Sequence, residues 1–354
     1  MQMHLIIAGL FVVTVLMAFI EDYLKESYKA VILAGYAIFM IMLATTKSIE
    51  HTADALAYED MFYSNNNIFT SLVTEPTFIY LSRFVLSFGG TIVAIFFIYA
   101  LLAIPAKLKI LYGMTPYVFT ALIIYIPIYF EVQDLIQIRV SVAAMFLLAS
   151  LSPLANKNYL KATLLMIAGI LFHYSAAIYL PFLFIGNKKL SVFFRIIIAV
   201  LIPICFAMYL LKIDLLTLIP SFSGAIDYKI EGYRESSEKG EWDEMYPLYA
   251  HLYYLSKCGM LLLCLYYYDF LAQKHRMAPL LISLFAASTL ILTAMANIPV
   301  IASRVSDLYG IIDCIIFTFL LYLIEPKYLG RILIVIIGLY MILFNIVNTE
   351  YFTS

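Results

Sequence analysis

Three ionisable side chains interrupt apolar stretches in which charged residues are otherwise rare. Asp134 and Arg139 lie in EVQDLIQIRVSVAAMFLLASL, residues 131 to 151, and His173 lies in AGILFHYSAAIYLPFLF, residues 168 to 184. Ionisable groups in membrane-spanning stretches are costly, so each one is a functional hypothesis by default. A guanidinium suits the binding of phosphate oxygens, and an imidazole can accept a proton near neutral pH. These residue types therefore point to anion binding and proton transfer.

The composition indicates a polytopic membrane protein. Of 354 residues, 64% are hydrophobic and 13% are charged, and the mean hydropathy is +0.96, whereas soluble domains use about 45 to 50% apolar residues. The formal net charge of -1 argues against a nucleic-acid partner, which needs a basic patch. The four cysteines form no CxxC pair, so we expect neither disulfides nor a structural metal site.

The apolar runs predict an all-α transmembrane bundle of about 12 spans, within a range of about 11 to 14, because a span needs about 20 mainly apolar residues. Residues 1–354 are expected to form one integral membrane domain with outer loops at about 47–90 and 212–249. The first run is followed by Glu21 and Asp22 in place of a cleavage site, which predicts a retained span. Later spans are predicted at 91–106, 115–131 and 134–152, and two short ones meet around His173.

The distribution of lysine and arginine predicts the orientation. With the N-terminus outside, short inner loops hold most of the 22 basic residues, including Lys107, as cytoplasmic loops do. A set of ionisable residues then shares the outer face, as an active site that opens outward requires; it comprises Asp54, Glu75, Arg83, Glu131, Asp134, Arg139, His173, Arg304 and Asp307. The alternative is that outer loops are simply polar, which fits Arg139 and His173 poorly because apolar residues flank them.

Two outer segments have their own signatures. Phe78, Leu81, Val85 and Phe88 recur at helical spacing, which predicts an amphipathic interfacial helix near 76–88. The loop at 212–249 carries an aromatic set that suits either a carbohydrate surface or an interfacial belt, and both interpretations stay open; the set is Tyr228, Tyr233, Trp242, Tyr246 and Tyr249.

The order of five motifs resembles a known family. The motifs are TADALAYEDMFY (52–63), EPTFIYLSRFVLSF (75–88), QIRVSVAAMFLLAS (137–150), AGILFHYSAAIYLPFLF (168–184) and IASRVSDLYG (301–310). Together they resemble the EpsG-like bacterial polysaccharide polymerases, a group that includes many O-antigen polymerases of the Wzy type, over about residues 40 to 325. Val140 stands where that family often has Gln, and an extra residue precedes Tyr309 in the late R.S.Y pattern.

The resemblance implies a membrane glycosyltransferase that makes O-antigen or exopolysaccharide. Such an enzyme transfers a growing glycan from undecaprenyl diphosphate to the non-reducing end of a lipid-linked repeat unit, at the outer face of the bacterial cytoplasmic membrane. Donor and acceptor are then both lipid-linked oligosaccharides, and a chain-length regulator and a flippase are further candidate partners. We expect no cofactor, and metal-independent transfer, because no DxD or similar pair lies on the predicted outer face.

The resemblance also implies roles for individual residues. Arg139 and Arg304 are the candidate clamp for the diphosphate leaving group. His173 is the first choice of general base, and Asp54 and Glu75 either compete for that role or orient an arginine. Further candidate substrate-binding residues are Tyr58, Arg83, Asp134, Tyr174 and Tyr309; the tyrosines could instead lie in the membrane interface.

Two other classes of protein compete with the polymerase. A flippase or exporter of lipid-linked oligosaccharides should carry polar groups at the bilayer midplane and two related halves, whereas this sequence places charges at one face. A membrane acyltransferase would carry its essential His or Arg early or on the inner side, and His4 has no such neighbours.

Overall fold

The computed structural model describes residues 2–47, 53–64, 74–213 and 247–348. Most of the predicted outer loop at 212–249, with Tyr228, Tyr233, Trp242 and Tyr246, lies outside these ranges, as do parts of the loop at 47–90. Every regular element in the described part is helical, which agrees with the predicted all-α class. The chain divides into a first unit, Met1–Gly186 with Asp313–Ser354, and a second unit, Asn187–Ile312.

The first unit contains most of the long helices. They are α1 (Gln2–Ile20), α2 (Glu26–Thr46), α3 (Ala53–Tyr63), α4 (Pro76–Ser87), α5 (Ile92–Met114), α6 (Val118–Ile124), a π-helix (Tyr125–Ile136), α7 (Ile138–Ala155), α8 (Tyr159–Phe172), a 3-10 turn (Tyr174–Tyr179), α9 (Phe182–Ile185), and, after the second unit, α15 (Asp313–Thr318), α16 (Leu320–Leu323) and α17 (Lys327–Asn348).

The second unit contains α10 (Val192–Leu210), a 3-10 turn (Leu248–Ala250), α11 (Leu252–Tyr266), α12 (Tyr268–Lys274), α13 (Ala278–Ala294) and α14 (Pro299–Gly310). Ser191 is the N-cap of α10, and its hydroxyl accepts a hydrogen bond from the Phe194 amide. The α10 helix is strongly apolar and only 11% of it is buried in the protein, as expected for a helix that faces lipid.

Seven helices in the described part are long and apolar enough to cross a membrane, or up to nine if two bent pairs each count as one span. Three further apolar helices are shorter, including Tyr159–Phe172 and Tyr174–Ile185 around His173. A multi-pass membrane protein is therefore confirmed, while the larger number of about 12 spans stays a prediction.

The predicted amphipathic helix near 76–88 forms as α4. Glu75 is its N-cap and Pro76 its first residue, a position where proline's missing N–H costs nothing. The helix ends at Ser87. Gly89, just after it, adopts φ +70 and lets the Gly90 amide donate to the Val85 carbonyl at 3.0 Å. Phe78 and Val85 face the core of the first unit, whereas Tyr80, Phe84 and Phe88 are exposed. Phe78 and Val85 of the predicted apolar face are thus buried, whereas Phe88, which the spacing also assigns to that face, is exposed. The position of this helix at the membrane interface stays a prediction.

Lys107 does not lie in an inner loop, so that part of the predicted topology is wrong. Helix α5 continues past the predicted boundary at residue 106 to Met114, and Lys107 is completely buried within it. Its ammonium donates to the Asp134 carboxylate at 2.9 Å, to Gln133 at 3.2 Å and to Ser141 at 3.1 Å. Because Asp134 balances the charge, the lysine does not end the buried segment.

The π-helix explains why Asp134 faces inward. Pro127 lacks an N–H and interrupts α-helical hydrogen bonding here, and the chain follows the wider π geometry for 12 residues. Nine residues are two and a half turns of an α-helix, which would place Tyr125 and Asp134 on opposite sides. In the π-helix the Tyr125 hydroxyl instead donates to Asp134 at 2.5 Å. The break between this helix and α7 falls at Gln137, later than the predicted one.

Candidate active site

Three helix termini of the first unit bring the candidate catalytic groups together. Glu75 is the N-cap of α4, Arg139 is the second residue of α7, and His173 is the C-cap of α8. The hydroxyl of Thr77 donates to the Leu171 carbonyl at 2.7 Å and ties α4 to α8. Side chains separated by up to 98 positions thereby meet at one place.

Glu75 links the other two groups through its two carboxylate oxygens. Its Oε2 accepts from the Arg139 guanidinium. Its Oε1 lies 3.0 Å from His173 Nδ1 and accepts from the Tyr174 amide at 3.3 Å. The Glu75 side chain is 5% exposed, whereas Arg139 is 19% and His173 is 23% exposed. The carboxylate therefore lies inside, and the cation and the imidazole can be reached.

The electrostatics of this contact fix the state of each partner. Burial alone would raise the pKa of Glu75, but the hydrogen bond from His173 and the charge of Arg139 outweigh it and lower the pKa to about 2. Glu75 is therefore a permanent carboxylate and only accepts hydrogen bonds. It follows that His173 Nδ1 carries the proton, and that Nε2 has the lone pair that can accept one.

Aromatic rings hold the guanidinium of Arg139 in place. Its central carbon lies 5.1 Å from the ring centroid of Tyr58 and 5.8 Å from that of Phe78, distances at which a cation is attracted to a ring face. Burial raises the pKa of Tyr58, so this side chain stays a neutral hydroxyl at physiological pH. Both rings belong to an apolar cluster that also includes Phe96 and Ile138. The arginine is thus oriented by packing as well as by Glu75.

Comparison with known families adds a finding that the geometry alone does not give. The model of the EpsG family matches residues 29–353, nearly the whole chain. The chain belongs to the EpsG family. EpsG-like proteins are Wzy-type polysaccharide polymerases, so the resemblance seen in the motif order is confirmed. Neither the search of curated proteins nor that of solved structures finds a match.

The other predicted site residues of this EpsG-family protein lie in different places. Asp54 is half-buried in the first turn of α3, and its negative charge contributes to the raised pKa of Tyr58. Tyr174 contributes its amide to Glu75, and its side chain is 44% exposed. Arg83 is exposed two turns beyond Glu75 on α4. These residues lie on the elements that carry the site.

Asp134 is separate from the Glu75 cluster. Both its side chain and that of Lys107 are 0% exposed, and its oxygens are occupied by Lys107, Ser141 and Tyr125. A carboxylate enclosed in this way offers no face to a substrate. Its position suggests a structural pairing, and a role in substrate binding stays a prediction without geometric support.

Arg304 and Tyr309 belong to the second unit, on α14. Arg304 is half-buried and Tyr309 is buried there. In the same helix, Ser306 packs against Ser288, whose hydroxyl accepts from Lys257 at 2.8 Å. The second half of the predicted arginine clamp stays a prediction.

Sequence reasoning missed one cation beside the cluster, Lys47. It follows α2 directly, is 4% exposed, and lies with its ammonium 4.1 Å from the ring centroid of Phe96. Burial lowers its pKa to about 7, and the charge of Asp54 opposes that shift. A lysine at the end of an apolar run is the ordinary boundary signal of a span, so the sequence offered no reason to single it out.

No group of three or more His, Cys, Asp or Glu side chains in the described residues is placed to hold a metal ion. The cluster itself consists of one carboxylate, one imidazole and one guanidinium. That set suits proton transfer and the binding of an anionic group. Metal-independent transfer therefore stays a prediction.

Proposed function

We propose that this EpsG-family protein is a glycan polymerase that uses a polyprenyl-diphosphate donor, with undecaprenyl as the expected carrier. It transfers the growing oligosaccharide to the non-reducing end of a lipid-linked repeat unit at the outer face of the cytoplasmic membrane. The observation that carries the proposal is the Glu75 carboxylate, which joins a guanidinium to an imidazole. This arrangement pairs a site for the leaving group with a site for the proton.

The acceptor hydroxyl attacks the anomeric carbon of the donor glycan. A bond forms between the acceptor oxygen and this carbon, and the bond to the diphosphate oxygen breaks. The hydroxyl proton passes to Nε2 of His173, since Nδ1 is bound to Glu75. The bond electrons leave on the diphosphate, whose increasing negative charge Arg139 stabilises.

Glu75 is not the general base in this proposal. A carboxylate with a pKa of about 2 has little affinity for a proton near neutral pH, where an effective base has a pKa near the working pH. Glu75 instead keeps His173 in the tautomer that exposes the Nε2 lone pair, and it stabilises the imidazolium that forms. It is a positioning residue for two catalytic groups.

The length of the surface glycan tests the proposal. The wild type, Arg139→Ala, His173→Ala and Arg304→Ala would be expressed in a strain that lacks its own polymerase, with membrane insertion confirmed by blotting. Glu26→Gln is the matched control, because Glu26 is an exposed carboxylate that pairs with Lys29. We expect a ladder from the wild type and the control, and single-repeat product from Arg139→Ala and His173→Ala.

Ladders from Arg139→Ala and His173→Ala would show that the site is misassigned. A wild type that changes only the export or acylation of a single repeat would overturn the function and favour a flippase or an acyltransferase. The result for Arg304→Ala decides separately whether Arg304 takes part in the reaction.

A further inference from the structure

The ammonium of Lys47 closes the carbonyl end of the π-helix. Its Nζ donates to the Leu135 carbonyl, and Leu135 is the penultimate residue of that helix. The last carbonyls of a helix lack partners within the helix. A lysine side chain can satisfy them, and its charge is favourable at this end of the helix dipole. Lys47 is therefore an external cap that joins α2 to the π-helix.

This cap lies where the chain turns towards the candidate site. Gln137 has φ −95 and ψ 62 and separates the π-helix from α7. Helix α7 begins at Ile138, so Arg139 follows the capped carbonyl by four residues. A shift at Leu135 would move the start of α7, and with it the guanidinium that faces Glu75.

Aromatic contacts connect Lys47 to the same guanidinium from a second direction. The ring of Phe96, over which the ammonium lies, meets the ring of Tyr58 edge-on with centroids 6.5 Å apart. Tyr58 in turn packs against Arg139. Each of the two cations thus contacts one ring of the same aromatic pair.

We propose that Lys47 is a positioning residue of the candidate site, which caps the π-helix and thereby holds Arg139 in the geometry that binds the donor diphosphate. The inference rests on the proposed function and adds a residue to it. The Arg139 guanidinium touches the leaving group, and Lys47 acts through Leu135 and the Phe96–Tyr58 pair.

The protonation of Lys47 gives this role a signature in the pH profile. The groups around its ammonium are Asp54 from α3, the Leu135 carbonyl and the Phe96 ring. Tyr58 contacts that ring, and Arg139 contacts Tyr58. Since its pKa is about 7, the ammonium becomes an amine as the pH rises through that value. An amine is a weaker donor and is not held over a ring face. Diphosphate affinity should therefore fall as the pH rises.

The experiment measures the binding of geranyl diphosphate to the full-length protein in lipid nanodiscs at pH 6 and pH 8.5. The variants are Lys47→Met, Lys47→Arg and Arg139→Ala. Lys29→Met is the matched control: Lys29 is a second buried lysine, in the first turn of α2, and contacts Glu26 at 2.9 Å and the Pro116 carbonyl at 3.4 Å. Thermal unfolding of each variant is recorded in parallel.

At pH 6 we expect Lys47→Met to bind about ten-fold more weakly, the lower end of the loss seen when a positioning partner of a metal ligand is removed. The affinity of Lys29→Met should stay within about two-fold of the wild-type affinity, because distant sites act nearly independently. Lys47→Arg should keep binding at pH 6 and lose less affinity than the wild type at pH 8.5, because arginine stays charged. The titration of the ligand is common to both proteins and cancels in this comparison.

Equal binding by Lys47→Met and the wild type, together with weak binding by Arg139→Ala, would overturn the role of Lys47 and leave the proposed function intact. Equal binding by Arg139→Ala and the wild type would overturn the proposed function and this inference with it. If Lys47→Met lost both diphosphate affinity and thermal stability, and Lys47→Arg restored neither, the role of Lys47 would be purely structural and the inference would be wrong.

Discussion

Replacing Glu75 by glutamine tests the site more sharply than removing a catalytic group, because the shape is kept while the charge and one acceptor oxygen are lost. The two carboxylate oxygens accept from Arg139 and from His173, whereas the amide has only one oxygen. Because a guanidinium can only donate, that oxygen should face Arg139 and the amide NH2 group should face His173. His173 loses the partner that fixes its tautomer, and Arg139 loses its counter-charge. Both halves of the proposed chemistry should fail together.

The expected magnitude follows from these two losses. A positioned base contributes about 100- to 10,000-fold to the rate, so the barrier should rise by about 2.7 to 5.4 kcal/mol. Removing one partner of a buried ion pair costs about 3 to 5 kcal/mol of stability. For Glu75→Gln we expect a loss of stability at the lower end of this second range, since the Arg139 side chain is 19% exposed and water can partly solvate it.

The assay combines polymer length in cells with thermal unfolding of the purified protein, and a double variant separates the two effects. Glu75→Gln combined with Arg139→Gln removes both charges and should recover part of the lost stability. It should stay inactive, because the guanidinium is gone. A Glu75→Gln protein that still makes a full-length ladder would refute the reasoning, as would recovery of activity in the double variant.

Three other outcomes are expected. The stability difference between the wild type and Glu75→Gln should be fully present above about pH 4.5 and shrink as the pH falls towards 2, because the pKa of Glu75 is lowered in the fold; a constant difference in unfolding temperature would contradict this. Lys107→Met should lose about 3 to 5 kcal/mol of stability by leaving Asp134 buried and unpaired, and Lys107→Met with Asp134→Asn should regain part of it in the same unfolding assay. The pKa of His251 is lowered to about 4 by burial, so the protein should lose stability as the pH falls from 6.5 to 4, and His251→Asn should lessen that loss in melting curves.

The sequence predicts which helices form the site better than it predicts which side chains pair with one another. Apolar runs and the 3.6-residue period suffice for α4, whose observed limits of Pro76 and Ser87 lie within the predicted 76–88. Arg139 and His173 stand out because apolar residues flank them, and the structure places Glu75 between them. Apolar runs and their interruptions are local features of the sequence. They predict helices well because a helix in a membrane forms its backbone hydrogen bonds within one segment.

Pairings that depend on helix geometry could not be predicted. A lysine after an apolar run normally marks the end of a span, so nothing distinguishes Lys107 from a loop residue until Asp134 is seen at 2.9 Å. The hydrogen bond from Tyr125 to Asp134 likewise depends on the π-helix, because an α-helical register would turn Tyr125 away from Asp134. Lys47 is hidden for a related reason, since its partner is the backbone carbonyl of Leu135, and no residue pattern in the sequence marks a backbone partner.

The shared carboxylate also gives the proposed reaction an order. Before the donor binds, the Glu75 carboxylate contacts both Arg139 and His173, and its negative charge is partly balanced by the guanidinium. A diphosphate that binds Arg139 competes with Glu75 for the guanidinium, which leaves more of the carboxylate's charge to His173. A more negative neighbour makes an imidazole a stronger base. Donor binding would thus prepare the base for the acceptor hydroxyl, and Arg139→Lys, which keeps the charge but not the planar fork, should weaken this coupling and lower the turnover rate more than donor affinity.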